Sequence, residues 1–224
     1  MLKRFTSLVA IAAAFAMGAC DDDDDATGID EIATVRIINA ASATQSLDVR
    51  LEDELLVGNI AFGSSSACQE VPAGSQDFVF RSSGSTTDLG TFNADLTQNT
   101  SYTLVFNGGT AVDLLTDDAP APAAGQASIR FFNATGGAID VHATAPGSNA
   151  FGATPTAANI AADASSAFVT FPLTNNRIRV TAAGSTANVL LDIPALNIPT
   201  GGIANVILTE NAAGDVQFVL AEPC

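Results

Sequence analysis

The groups able to do chemistry in this chain are few, and the sequence does not gather them. His142 is the one histidine. It stands two positions from Asp140 in a segment patterned like a strand, so the two share a face and match an acid–base couple in residue type alone. No G-x-S-x-G nucleophile turn accompanies them, and the corresponding position of an internal repeat holds Arg50. Lys3 is the only lysine, which excludes a lysine Schiff base or a phosphate-gripping lysine from the body of the chain. Asp21–Asp25 and Glu52-Asp53-Glu54 supply carboxylates, the hard oxygen donors that calcium favours. Calcium takes roughly six to eight oxygens from a shaped loop, whereas consecutive aspartates repel one another and stay solvated. Glu52–Glu54 falls between two strand patterns and reads as a solvated hairpin tip. The expectation is no catalytic residue, no metal site and no cofactor.

The first segment is an address. Lys3 and Arg4 precede an apolar run from Phe5 to Met17. As a helix that run spans ~20 Å, short of the ~30 Å hydrocarbon core, and it suits a secretory signal. Met17-Gly18-Ala19-Cys20 resembles the lipobox of bacterial lipoproteins, with Met17 in place of the commoner Leu. That resemblance implies cleavage before Cys20 and acylation of its sulfur with palmitate-class chains. Cleavage near Ala19 with Cys20 as a spare thiol is the competing reading. Residues 1–19 are thus expected to be a signal peptide and 20–32 a lipidated cysteine with an acidic tether. Inner and outer membrane, and periplasmic and cell-surface sides, stay open.

With Cys20 assigned to lipid, Cys68 and Cys224 remain. An exported chain meets an oxidising compartment, so a Cys68–Cys224 disulfide is expected. Such a bridge requires the regions around residues 68 and 224 to lie side by side.

The elements that must position these groups are strands. The 224 residues carry a net charge of −16 with 47% hydrophobic side chains, enough for a real core and the wrong sign for nucleic acid. Thr34-Val35-Arg36-Ile37-Ile38-Asn39-Ala40 matches Ser128-Ile129-Arg130-Phe131-Phe132-Asn133-Ala134. Leu47-Asp48-Val49 matches Ile139-Asp140-Val141, and Asn59-Ile60-Ala61 matches Asn159-Ile160-Ala161. The order holds while the offset drifts, which indicates a duplicated unit with loop insertions. Unit 1 is expected at 33–118, a Pro/Ala linker at 119–125, and unit 2 at 126–224. Strands are expected at Thr34–Ile38, Gln45–Leu51, Asp77–Arg81, Ser101–Phe106 and Ala111–Leu115, the last two joined through Asn107-Gly108-Gly109. In unit 2 they are expected at Ser128–Phe132, Ile139–Ala143, Ala167–Phe171, Arg177–Thr181, Asn205–Thr209 and Val216–Leu220, with Ala157–Ala167 a helical turn or a strand edge. Short strands parted by Gly, Pro, Asn and Ser indicate antiparallel sandwiches. Asn39 and Asn133, each ending a first strand, read as turn anchors. Asp48 and Asp140 read as turn caps or as partners of Arg36 and Arg130.

Val35-Arg36-Ile37-Ile38-Asn39-Ala40, Leu47-Asp48-Val49, Ile60-Ala61-Phe62-Gly63 and Val71-Pro72-Ala73-Gly74 resemble the bacterial domain of unknown function 4397, and the second copy resembles it more loosely. The resemblance implies tandem immunoglobulin-like β-sandwich units on exported proteins and implies no activity. Anchor, fold and scattered chemistry together lead to a non-enzymatic envelope lipoprotein, a spacer or adhesive module partnered by the membrane and by an envelope protein or glycan. A carbohydrate- or cation-binding accessory module is the alternative.

Overall fold

The structure, a computed structural model, describes residues 31–109, 111–151, 154–172, 176–198 and 202–224. The leader, Cys20 and the aspartate run lie outside them. Among the described residues all regular structure is strand. The first half of the chain forms β1 (Ile32–Asn39), β2 (Ser46–Leu51), β3 (Glu54–Ala61), β4 (Ser64–Ser65), β5 (Gln69–Pro72), β6 (Gly74–Ser82), β7 (Asp88–Leu96), β8 (Ser101–Gly108) and β9 (Ala111–Thr116). The second half repeats the series as β10 (Gln126–Ala134), β11 (Ile139–Thr144), β12 (Ala157–Ile160), β13 (Ala164–Ser165), β14 (Val169–Pro172), β15 (Asn176–Ala182), β16 (Val189–Leu196), β17 (Ile203–Glu210) and β18 (Val216–Ala221).

Each half is a pair of sheets. In the first, β4-β1-β8-β9, with β5 also on β1, faces β3-β2-β6-β7. In the second, β13-β10-β17-β18, with β14 on β10, faces β12-β11-β15-β16. Val35, Ile37, Leu104 and Phe106 from one sheet meet Leu47, Val49, Phe78 and Phe80 from the other. Phe80 and Phe106 stack across this layer with ring centroids 4.9 Å apart. Ile129, Phe131, Val206 and Leu208 meet Ile139, Val141, Ile178 and Val180 in the second half. Phe92, on the edge strand β7, is only half-buried and packs against the rim of the first half's cluster.

A third apolar cluster joins the halves. Ile38, Val105 and Leu115 of the first half pack on Phe132, Ile207, Val219 and Ala221 of the second. The β1 and β10 sheets therefore lie back to back, and the molecule is a four-layer stack with these two as inner sheets. This explains the burial of consecutive residues in β8, β10 and β17: a strand covered on both faces has no reason to alternate.

The ladders depart from a purely antiparallel plan. β1 runs parallel to β8 and β10 parallel to β17, while the other pairs are antiparallel. After β1 the chain leaves for the outer sheet and re-enters the inner one in the same direction, so the two strands are free to pair in parallel. Ala157–Ile160 is a strand edge, with a turn and short β13 after it. β3, β7 and β16 were not expected. Each pairs along one side only in its sheet, and register shifts interrupt its ladder, which blurs the period-two pattern. At the end of β8, Gly108 and Gly109 both take positive φ (105° and 58°), the requirement that makes glycine fit there.

Candidate functional site

Asn39 and Asn133 do anchor turns. Asn39 Nδ2 donates to the Thr44 and Ile60 carbonyls at 2.8 and 3.0 Å, and its Oδ1 accepts from Ala41 N. Asn133 repeats this with Gly137, Ile160 and Thr135. Both side chains are fully buried. Removing one leaves buried carbonyls without a donor, so Asn39→Ala and Asn133→Ala should each cost about 2–3 kcal/mol, readable as a lowered urea midpoint.

Asp48 and Asp140 cap turns. Asp48 accepts from Asn59 N, Ser83 Oγ and Gly84 N, and Asp140 accepts from Asn159 N and Gly184 N. Asn59 and Asn159 both hold positive φ, so each carboxylate pins a turn that the backbone alone resists. Burial pushes the Asp48 carboxyl up. The Ser83 hydroxyl, the Asn59 and Gly84 amides and the Arg50 charge outweigh that and hold it below its ordinary value.

The alternative pairing of these aspartates with Arg36 or Arg130 is not what the structure shows. Arg130 binds Asp117, which follows β9 in the other half. Its Nη2 reaches Asp117 Oδ1 at 2.9 Å, its Nε donates to Asn205 Oδ1 at 2.9 Å and its Nη1 to the Thr116 carbonyl at 3.0 Å. Asn205 Nδ2 and Thr103 Oγ1 also donate to Asp117, each at 2.7 Å. Burial lifts the Asp117 carboxyl above its usual range, although Thr103, Asn205, Arg130 and Arg36 all pull it down. The clue was present in Ile129-Arg130-Phe131-Phe132: a run too apolar to face water on either side must find its arginine a partner.

His142 is sealed in the outer sheet rather than presented in a cleft. It is 2% exposed, its ring lies edge-on to Phe151 with centroids 5.1 Å apart, and Arg179 covers the same phenyl ring at 4.1 Å. Thr181 Oγ1 lies 3.4 Å from Nε2, while Nδ1 is buried with no partner. Burial lowers the His142 value, with Arg179 adding to the shift and Asp140 opposing it. The unfolded chain then binds this proton more readily than the folded one. Stability should fall as pH drops through about 6.5, the ordinary histidine value. His142→Gln should flatten that part of a melting-temperature profile. Glu52 and Asp53 form an exposed hairpin tip, with Glu52 at φ 53°. Among the described residues no three His, Cys, Asp or Glu side chains gather to hold a metal ion.

The structure joins Cys68 to Cys224 by a disulfide with Cα atoms 5.7 Å apart. Cys20, the expected lipidation site, lies outside the described residues.

Where β1 and β10 end, a cleft of about 480 Å³ opens between the halves. Ala40, Ala41, Ala134 and Thr135 line it with Asn107, Asp163 and Glu210. Asn107 Nδ2 donates to Asp163 across the junction. Burial raises the nearby Asp113 carboxyl, and the Asp163 charge raises it further. The walls carry hydroxyl, amide and carboxylate groups. Sequence reasoning missed this cleft because loops from both halves, far apart in the chain, build it together.

A family model described as "Domain of unknown function (DUF4397)" matches residues 33–144. The chain belongs to the DUF4397 family. The match to DUF4397 runs past Asp118 and takes in β10 and β11, so it spans the junction at which the halves are fused. No curated protein matches this DUF4397 chain. Among solved structures it is similar to a family-26 carbohydrate-binding module from Eubacterium rectale Amy13K in complex with maltoheptaose, at 9% identity and a TM-score of 0.28, covering 86% of this chain and 97% of that one. It is also similar to a candidate adhesin from Bacteroides ovatus, at 10% identity and a TM-score of 0.24, covering 85% and 94%. At such scores neither likeness bears on what the DUF4397 chain does.

Proposed function

We propose that this protein is a non-enzymatic cell-envelope lipoprotein, anchored through Cys20, whose rigid β body acts as a spacer presenting an interaction surface. The observation that carries this reading is Met17-Gly18-Ala19-Cys20 after a short apolar run, with five aspartates directly behind it. The acidic run stays solvated and is repelled by anionic lipid, the behaviour required of a tether.

The shape supports the same use. β1 begins at Ile32, close to the tether, and ends beside Ala40 at the cleft. At ~3.3 Å per residue its length holds the cleft ~26 Å from the tethered end. The apolar layer between the inner sheets makes the stack one body, so the cleft keeps that distance. The acidic hairpin tip lies toward the tethered end, because Glu52 and Glu54 share a surface recess with Pro72, which pairs with Ile32.

Intact-mass spectrometry of detergent-extracted protein tests the anchor. The expected product begins at Cys20 and carries acyl chains on it, and Cys20→Ser leaves an unacylated protein. An unprocessed start, or a bare thiol at Cys20 in the wild type, overturns the reading.

A further inference from the structure

Arg36 and Arg130 occupy equivalent places in the two halves. The β1–β5 ladder ends at Val35 opposite Gln69, and the β10–β14 ladder at Ile129 opposite Val169. The next residue across from Arg36 is therefore Cys68, and from Arg130 it is Phe168. The neighbours agree: Ser66 Oγ accepts from Ile37 N, and Ser166 Oγ from Phe131 N, both at 3.0 Å. The guanidinium of Arg130 lies over Phe168, 4.6 Å from the ring centroid. Arg36 instead directs Nη2 at Cys68 Sγ, at 3.2 Å, and its Nε is buried with no partner.

A guanidinium gains little from a neutral disulfide sulfur, which is a weak acceptor, and much from a thiolate. The geometry points to an exchangeable disulfide in which an external thiol attacks Cys224 and Cys68 departs as a thiolate beside Arg36. The incoming thiolate gives its electron pair to Cys224 Sγ and forms a mixed disulfide there. The Cys224–Cys68 bond breaks, and its pair passes to Cys68 Sγ. The attacking sulfur is oxidised to the disulfide level as Cys68 is reduced, and a second thiol from the same donor would release Cys224 and carry the oxidation away. Both cysteines are exposed, and Cys224 lies beyond β18 outside any strand.

Surrounding charges set the direction. Expelling Cys224 instead would place a thiolate two residues from the exposed carboxylate of Glu222. Glu70 stands two residues from Cys68, and Asp117 also feels Arg36. Asp117 draws on the same cation without removing it. The better leaving thiol is the one whose anion is better stabilised.

The test treats the folded full chain with reduced glutathione at neutral pH, traps freed thiols with iodoacetamide and maps peptides without reduction. Glutathione is expected on Cys224 and the alkyl label on Cys68, about tenfold over the reverse assignment. Arg36→Gln should erase the bias, and Arg36→Lys should keep most of it. Equal or reversed labelling in the wild type overturns the inference, as does a bias unchanged by Arg36→Gln. Should Arg36→Gln not fold, the wild-type assignment decides alone.

Discussion

Asp117→Ala should destabilise the protein by about 3–5 kcal/mol, because it strips Arg130 of its carboxylate inside the junction between the halves. The Asp117 side chain is wholly buried and that of Arg130 nearly so. The substitution leaves a guanidinium, the Asn205 amide and the Thr103 hydroxyl without their shared acceptor. The pair is costly to break without being a large net source of stability, since burial itself disfavours both charges. The combined change Asp117→Leu with Arg130→Met should therefore recover much of the loss. Urea unfolding of the single and combined variants measures this directly. A single variant within about 0.5 kcal/mol of wild type would show that the network is not the junction's polar lock.

Replacing both bridge cysteines, Cys68→Ser with Cys224→Ser, should lower stability by about 2–5 kcal/mol. The bridge closes a loop with a sequence separation of 156, for which chain entropy gives ~5 kcal/mol as an upper figure. The loss should be smaller than that, because the apolar layer of Ile38, Val105, Phe132 and Ile207 still holds the halves together. Denaturant midpoints of the oxidised wild type and the double variant give the difference. Two separated transitions in the variant would mean that the layer does not couple the halves without the bridge.

Much of the fold was legible because local chemistry and final structure agree. Leu47, Val49 and Leu51 alternate with Asp48 and Arg50 in an outer-sheet strand whose two faces see different surroundings. The repeated Asn39/Asn133 and Asp48/Asp140 pairs could be read as turn chemistry because their partners lie in turns of the same unit. The junction was harder to read. Thr103, Asp117, Arg130 and Asn205 come from four segments, and what unites them is the back-to-back packing of two sheets. Parallel pairing of β1 with β8 is likewise set by the path of the chain through the outer sheet, not by any residue in either strand. The cleft follows from both: its walls exist because the junction does.

The central position of β1 also bears on mechanics. A pull on the chain ahead of Ile32 would load this strand along its axis while it is held by β8 on one side and by β4 and β5 on the other. Extracting it means sliding both ladders at once instead of unzipping them bond by bond. Under the anchoring proposed above, force would thus enter through a strand clamped on both sides, a property that would suit a body held at a surface under flow.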